Sequence, residues 1–314
     1  PRRPPEGRTG PRDVERRQAM ELSQHLEGAE PELARLMLLI SEQAGPIKAA
    51  FLGQKGLAGT ENIFGEKQMA LDKWADEHLI GVLKGSGLVC AIASEEQPDT
   101  VRIDGAESDL AVTLDPLDGS SLIGVNLSVG TIVGIFRGGD VLRPGRELAA
   151  AMYILYGPLT TLTYTLGPGK GVHEFVLSGD GKFVLEEEDI RIPSGKIYAP
   201  GATRNKYLPN HRAWIEDIEN KGYKVRFSGS FVADVHQILH KGGVFTYPGF
   251  RGREQGKLRL LFECNPLGFM VTAAGGRVSD GTGDILDVVP TGIDHRIPIY
   301  VGTKEDVEAR EKLG

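Results

Sequence analysis

From Pro31 onward, Leu33, Leu36, Met37, Ile40, Ala44 and Ile47 recur at the spacing of one helix face, and Gly45-Pro46 predicts a kink or break near its end. A second helix is predicted with Leu71, Trp74, Ala75, Leu79, Val82 and Leu83 on its packing side and Glu66 and Asp72 near its beginning. The glycine-rich stretch 53–60 between them reads as a mobile loop. Unbroken apolar runs then replace the helical period. Residues 88–93 and 110–114 read as buried strands, each ending in acids: Ser94-Glu95-Glu96 and Asp115-Pro116-Leu117-Asp118. Residues 129–136 form a β-rich run broken by Gly130 and Gly134, and 148–156 carries helix formers closing at Gly157. Strands at 160–165, 172–177 and 183–185 make a meander around the turn 178–182, and the charge run 186–189 reads as a solvated edge.

Beyond Pro193-Ser194-Gly195 the pattern alternates. Strands at 196–199, 224–227 and 244–247 enclose helices at 209–220 and 231–239, which argues for an α/β layer with a substantially parallel sheet. A further helix starts near Pro266, with Glu263 just ahead of it. Two domains are therefore expected, 13–193 and 194–314, behind a Pro/Gly/Arg-rich tail at residues 1–12 that lacks periodicity.

Composition narrows the function. In a chain of 314 residues with net charge −7, nucleic acid is an improbable partner, because binders of its backbone carry a basic surface. Two cysteines, Cys90 and Cys264, are too few for a disulfide framework and lack metal-ligand spacing. No apolar run reaches the roughly 20 residues that span a bilayer, and the N-terminal stretch has no signal-peptide core, so no membrane partner and a cytoplasmic location are expected.

The candidate chemistry sits at residues 114–121. Pro116 removes a donor and extends Asp115, so the strand is expected to end with the Asp115 carboxylate at its tip. Asp115, the Leu117 carbonyl and Asp118 make an all-oxygen set suited to a hard divalent cation, and Gly119-Ser120-Ser121 offers N–H groups and hydroxyls to a phosphate at a predicted helix start. If the two acid-bearing strands are neighbours, Glu95, Glu96, Asp115 and Asp118 surround one crevice, and such clustered carboxylates call for cations. Ordinary turn chemistry is the competing reading of any one of these segments.

Asp115-Pro116-Leu117-Asp118-Gly119-Ser120-Ser121 resembles the signature of the metal-dependent, lithium-sensitive sugar and inositol phosphatases. Its surroundings, from about residue 62 to 307, resemble class I fructose-1,6-bisphosphatase most, with the sedoheptulose-1,7-bisphosphatases close behind. The run Gly256-Lys257-Leu258-Arg259-Leu260-Leu261-Phe262-Glu263-Cys264-Asn265-Pro266 nearly reproduces a second family motif, with Phe262 in a tyrosine position. The resemblance implies a layered α-β-α-β-α sandwich and Mg2+-dependent hydrolysis (two or three ions per site, Mn2+ as an alternative) of the 1-phosphate of fructose 1,6-bisphosphate, in gluconeogenesis or carbon fixation. It assigns metal binding to Glu95, Glu96, Asp115, Leu117, Asp118 and Glu263, and the catalytic roles to Glu96, Asp72 and Glu66, the latter two on a segment closing over the metals. Substrate contacts fall to Asp118, Gly119, Ser120, Ser121, Tyr247, Lys257 and Arg226, whose reach into a neighbouring subunit implies a dimer or tetramer. Phe227 replaces a tyrosine, and the segment 200–204 looks more like the sedoheptulose enzyme. A seven-carbon or dual-specificity bisphosphatase therefore stays open, as do an inositol-phosphate phosphatase and a non-enzymatic metabolite-binding protein.

The family's AMP site uses an N-terminal helix and a Lys-Tyr pair shortly before the signature, where this chain has Asp109-Leu110. An aspartate repels the AMP phosphate and leucine offers no hydroxyl, while Gln24-His25-Leu26-Glu27-Gly28 lacks an evident phosphate-binding turn and Arg137 alone matches. Activity is expected to be insensitive to AMP at concentrations that inhibit AMP-regulated relatives. An inhibition titration at fixed Mg2+ checks this; a sigmoidal AMP curve abolished by changing Arg137 but not by raising substrate would contradict it.

Overall fold

The computed structural model describes residues 20–53 and 63–313, with the backbone alone at Gly53 and 63–69. The tail 1–12, the loop 54–60 and the Glu66 side chain lie outside the described residues. In the N-terminal half the elements are α1 (Leu22–His25), α2 (Pro31–Glu42), α3 (Ala44–Gly53), α4 (Ile63–Ser86), β1 (Ala91–Ser94), β2 (Val101–Arg102), β3 (Ala111–Asp118), β4 (Val129–Phe136), β5 (Ala150–Tyr156), β6 (Thr160–Thr165), β7 (His173–Leu177) and β8 (Phe183–Glu187). The C-terminal half adds β9 (Ile197–Pro200), α5 (Pro209–Asn220), β10 (Lys224–Val225), α6 (Phe231–Lys241), β11 (Val244–Tyr247), α7 (Asn265–Ala273), β12 (Arg277–Ser279), β13 (Ile299–Gly302) and α8 (Lys304–Glu311).

The strands form two sheets, ordered β2-β1-β3-β4-β5-β6-β7-β8 and β10-β9-β11-β13-β12. Alternation along the strands assigns the layers. On β5, Met152, Ile154 and Tyr156 join the cluster of α1–α4, whereas Ala151, Tyr153 and Leu155 join the cluster of α6 and α7. Ala199, Phe245, Val278, Ile299 and Val301 of the smaller sheet close that second cluster, and Tyr198, Val244 and Tyr300 on its other face pack against Trp214, Ile215 and Ile218 of α5 and Val307 of α8. Helices, sheet, helices, sheet and helices thus stack as a layered sandwich.

Several local expectations are corrected. Residues 150–156 are a strand rather than a helix: the central strand of the large sheet is buried on both faces, so its apolar run lacks alternation and resembles a buried helix. The chain breaks at Gln43 rather than Gly45-Pro46, because Pro46 sits in the first turn of α3, where no N–H is required. Trp74 is 37% exposed and stacks on His78 (5.0 Å between ring centroids) instead of facing the core. The strand predicted at 224–227 pairs only over Lys224–Val225, along one edge, and the smaller sheet is mixed: β10-β9-β11 are parallel, while β13 runs antiparallel to both β11 and β12.

Gly130 and Gly134 do not break β4, which pairs continuously with β5 from Val129 to Ile135. They make room. A Cβ at Gly130 would lie 2.8 Å from Val232 Cγ1 on α6, and one at Gly134 would lie 2.5 Å from Thr113 Oγ1 and 3.2 Å from Pro266 Cγ on α7. Gly134→Ala is expected to cost about 1–3 kcal/mol by overpacking. Gly179→Ala, with no neighbour within 4 Å, is the control and is expected to stay within about 0.5 kcal/mol. Urea unfolding midpoints of the two variants check this.

Candidate active site and metal centre

In the large sheet β1 and β3 are parallel neighbours, with Ser94 opposite Leu114, and the Glu95 N–H donates to the Leu114 carbonyl at 2.9 Å. Their C-terminal ends therefore share one edge, which brings Glu95 and Glu96 beside Asp115 and Asp118. The strand does not stop at Asp115. It continues to Asp118 through an irregularity in its pairing with β4, which takes up the missing Pro116 donor. Here the Asp115 carboxylate accepts from the Leu117 N–H at 3.1 Å, and the Pro116 carbonyl accepts from the Thr131 hydroxyl at 2.9 Å. Gly119 follows with φ +78°, and any Cβ there would lie 2.6 Å from that of Ser230. The helix expected next is a 3-10 turn, Ser120–Val125.

Glu263 arrives from the other half. Residues Leu260–Cys264 form a π-helical turn, and the Glu263 carboxylate accepts from the Arg259 N–H at 2.7 Å, which folds it back into the cleft. Asp118 is held from the same side: its Oδ2 accepts from the Ser230 hydroxyl at 2.7 Å and from the Val232 N–H at 2.8 Å, both at the start of α6. Ligand oxygens of Asp115, Asp118 and Glu263, all three buried, lie within 4.8 Å of one another.

The cleft encloses about 330 Å3. Glu95, Glu96, Asp115, Leu117, Asp118, Gly119, Ser120, Ser121, Tyr247, Lys257 and Glu263 of the expected set line it, together with Arg296. Asp72 projects from α4, a continuous helix rather than a loop, and hydrogen-bonds Ser120. Arg226 does not line this cleft; it is exposed beside β10 and donates to the Val225 carbonyl at 2.8 Å. Lys257 lies 5.6 Å over the Tyr247 ring, and Arg259 lies 3.4 Å from Glu95.

Burial is the first cause of every carboxyl shift in the cleft, and it raises each one. Asp115 is pushed well above the usual carboxylate range by burial and then by Glu95, Asp118 and Glu263; Glu263 is pushed well above it by burial, Glu95 and Asp118. Glu95 is raised by burial against the pull of Arg259, and Asp118 by burial against its hydrogen bonds from α6. Burial and then Glu95 raise Glu96, and Asp72 is pushed up to about 6, chiefly by burial. Such a set holds protons or meets cations. Its oxygen-only donors fit a hard divalent ion, the kind that prefers carboxylates and carbonyls to imidazole or thiolate.

Four residues with parts in this geometry had no role assigned from the sequence. Arg259 and Arg296 balance Glu95, Ser230 orients Asp118, and Asp76, one turn beyond Asp72 on α4, accepts from the Ser94 hydroxyl at 2.5 Å at the tip of β1. The sequence marks Asp76 only by its spacing, one helical turn after Asp72 and next to the apolar Ala75.

Comparison with known proteins agrees with this geometry. A family model described as fructose-1-6-bisphosphatase, N-terminal domain, matches residues 16–188, and one described as fructose-1-6-bisphosphatase, C-terminal domain, matches residues 192–313. The chain belongs to the fructose-1,6-bisphosphatase family. It is 48% identical over 287 residues to a class 1 fructose-1,6-bisphosphatase of Methanospirillum hungatei, covering 91% of this chain and 92% of that one. It is 44% identical over 302 residues to the class 1 enzyme of Geobacter sulfurreducens, covering 94% and 96%. Among solved structures, Leishmania major fructose-1,6-bisphosphatase in holo form superposes with a TM-score of 0.86 at 31% identity, covering 94% of this chain and 99% of that one.

The raised carboxyls give the metal-free fructose-1,6-bisphosphatase fold a defined pH response. Each binds its proton more tightly folded than unfolded, so its stabilising contribution is fully present below the ordinary carboxylate range and is lost as pH rises through the folded value, about 6 for Asp72 and higher than usual for Asp115 and Glu263. Chelator-treated protein is expected to melt lower at pH 8 than at pH 5, by at least the ~2–4 °C that 1 kcal/mol produces in domains above 150 residues. Mg2+ is expected to restore more of the Tm at pH 8 than at pH 5. Thermal melts at both pH values, with and without Mg2+, check both signs.

Proposed function

We infer that this chain is a fructose-1,6-bisphosphatase that removes the 1-phosphate of fructose 1,6-bisphosphate, releasing fructose 6-phosphate and inorganic phosphate. The observation that carries the reading is the placement, in one cleft, of a buried oxygen-only acid cluster beside Lys257 and Tyr247. The carboxylates of Glu95, Asp115, Asp118 and Glu263, with the Leu117 carbonyl, are the proposed ligands of two or three Mg2+ ions. Bound there, divalent ions supply positive charge for phosphoryl transfer and acidify water.

The protein's own groups do the rest. Asp118 reaches the cleft in a fixed orientation because the Ser230 hydroxyl and Val232 N–H hold one of its oxygens. Glu96 orients or deprotonates the attacking water, assisted by Asp72, whose carboxyl at about 6 changes charge close to neutral pH. Gly119, Ser120 and Ser121 border the reacting phosphate with N–H and hydroxyl donors. Lys257 and Tyr247 take the phosphate that does not react, a point charge and a hydroxyl that fix the sugar's direction. Arg226, exposed outside this cleft, is proposed to complete the site of a neighbouring copy, which makes the active form a dimer or tetramer. The proposed division into 13–193 and 194–314 puts the acid-bearing strands in one domain and Lys257, Tyr247 and Glu263 in the other.

The proposed insensitivity to AMP has added support: Arg137 already pairs with Glu30 at 2.9 Å and Asp109 at 3.3 Å. Two features bear on sugar length. Phe227 borders the cleft without a hydroxyl, and the segment 200–204 packs behind the substrate pocket, where the Gly201 N–H donates to the Thr246 carbonyl at 2.7 Å and a Cβ at Gly201 would sit 2.3 Å from the Tyr247 ring. This backing holds Tyr247 in place for the six-carbon substrate. Steady-state assays are expected to give fructose 1,6-bisphosphate a kcat/KM about tenfold above sedoheptulose 1,7-bisphosphate, the scale on which one extra carbon is discriminated. A larger kcat/KM for the seven-carbon sugar would reverse the ranking, and turnover of inositol phosphates alone would overturn the function.

A further inference from the structure

Away from the acid cleft, a second group of ligand-type side chains joins the large sheet to α6. Strand alternation on β7 turns Glu174 toward the side opposite His173, and α6 carries His236 and His240 four residues apart on one face. Glu174 Oε2 lies 3.0 Å from His240 Nε2 and 3.5 Å from His236 Nδ1, and the two imidazole centroids are 4.7 Å apart. One ligand atom from each of the three residues falls within 4.8 Å of the others. The 3.0 and 3.5 Å separations bracket ~3.3 Å, the edge of a tetrahedron whose metal–nitrogen and metal–oxygen bonds are about 2.0–2.1 Å.

The surroundings add an independent feature. The remaining ring nitrogen of His240, Nδ1, lies 3.4 Å from the Glu187 carboxylate on β8, which is how a metal-ligating histidine is oriented when a carboxylate takes its other N–H. Thr163 donates to Glu174 Oε2 at 3.4 Å. The Tyr153 hydroxyl stands 2.8 Å from His236 Nδ1 and also hydrogen-bonds Thr163, so it would retain a partner if an ion took the imidazole lone pair. Glu174 is 9% exposed, but the two imidazoles are 21% and 22% exposed, so an ion can enter from solvent and water can fill a fourth position.

We propose that Glu174, His236 and His240 form a second metal site, suited to a borderline divalent transition ion such as Zn2+ and not to Mg2+, that clamps α6 onto the eight-stranded sheet. Imidazole with a single carboxylate is a donor set for Zn2+, Co2+ or Ni2+, whereas Mg2+ requires near-octahedral oxygen. The helix so clamped is the one whose first turn holds Asp118.

The test uses the whole chain, stripped with chelator and titrated with Co2+ alone. Four-coordinate Co2+ with imidazole ligands absorbs intensely in the visible, while six-coordinate Co2+ on the oxygen ligands of the acid cleft absorbs weakly. The expected result is an intense band saturating at about one ion per chain, displaced by Zn2+ but not by excess Mg2+, retained in Asp118→Asn and lost in His240→Ala and Glu174→Gln. Circular dichroism verifies that the variants fold. Absence of the band in the wild type, its displacement by Mg2+, its loss in folded Asp118→Asn, or its survival in folded His240→Ala overturns the proposal. Should a variant fail to fold, the wild-type titration and its Mg2+ competition decide alone.

Discussion

Burying acids beside one another is the constraint that the rest of this structure answers to. Asp118 and Glu263 both raise the proton affinity of Asp115, Asp118 raises that of Glu263, and burial raises all three. An exposed cluster would relax by moving apart. Here the backbone forbids it: Asp115 and Asp118 belong to a strand paired on both sides, Glu263 is fixed in a π-helical turn by the Arg259 N–H, and Asp118 is tied to the start of α6. The repulsion is therefore kept in the fold, where protons or cations can relieve it.

Two ties carry that load between the halves. One is the pair of hydrogen bonds from Ser230 and Val232 to Asp118, which joins the end of β3 to α6. The other is close packing, since the missing side chains at Gly130 and Gly134 let α6 and α7 lie against β4. Both helices are buried between the sheets, so a displacement of either one would open the core and the cleft together.

What was legible in the sequence follows from this arrangement. Apolar runs that end abruptly in acids identify β1 and β3, and their adjacency is what converts Glu95, Glu96, Asp115 and Asp118 into one cluster. The run at 150–156 defeated the same reading because a strand buried on both faces shows no alternation, leaving Ala, Leu and Met to suggest a helix. The π-helical turn at Leu260–Cys264 has no local sequence signal, so Glu263 is marked in the sequence by its place before Pro266 and by the motif it resembles, while the back-turn of its carboxylate emerges only in the fold. Arg296 and Asp76 escaped notice for another reason: their partners, Glu95 and Ser94, are far away in the chain, and only the fold makes them neighbours.

The same cleft also has a direction. Acids dominate the side built by β1, β3 and the π-helical turn, and Lys257, stacked over Tyr247, stands on the side built by β11 and the segment that follows it. Lys257 lowers the proton affinity of Asp118 and Glu263, so its charge is felt across the cleft without a carboxylate closing on it as an ion pair among the described residues. Under the proposed function, a substrate with phosphates at both ends would meet two unlike surroundings: one phosphate an ammonium, the other a surface that repels it unless cations intervene. Orientation of the substrate would then follow from charge before any contact with the sugar is made, and the phosphate delivered to the acid side would be the one placed for hydrolysis.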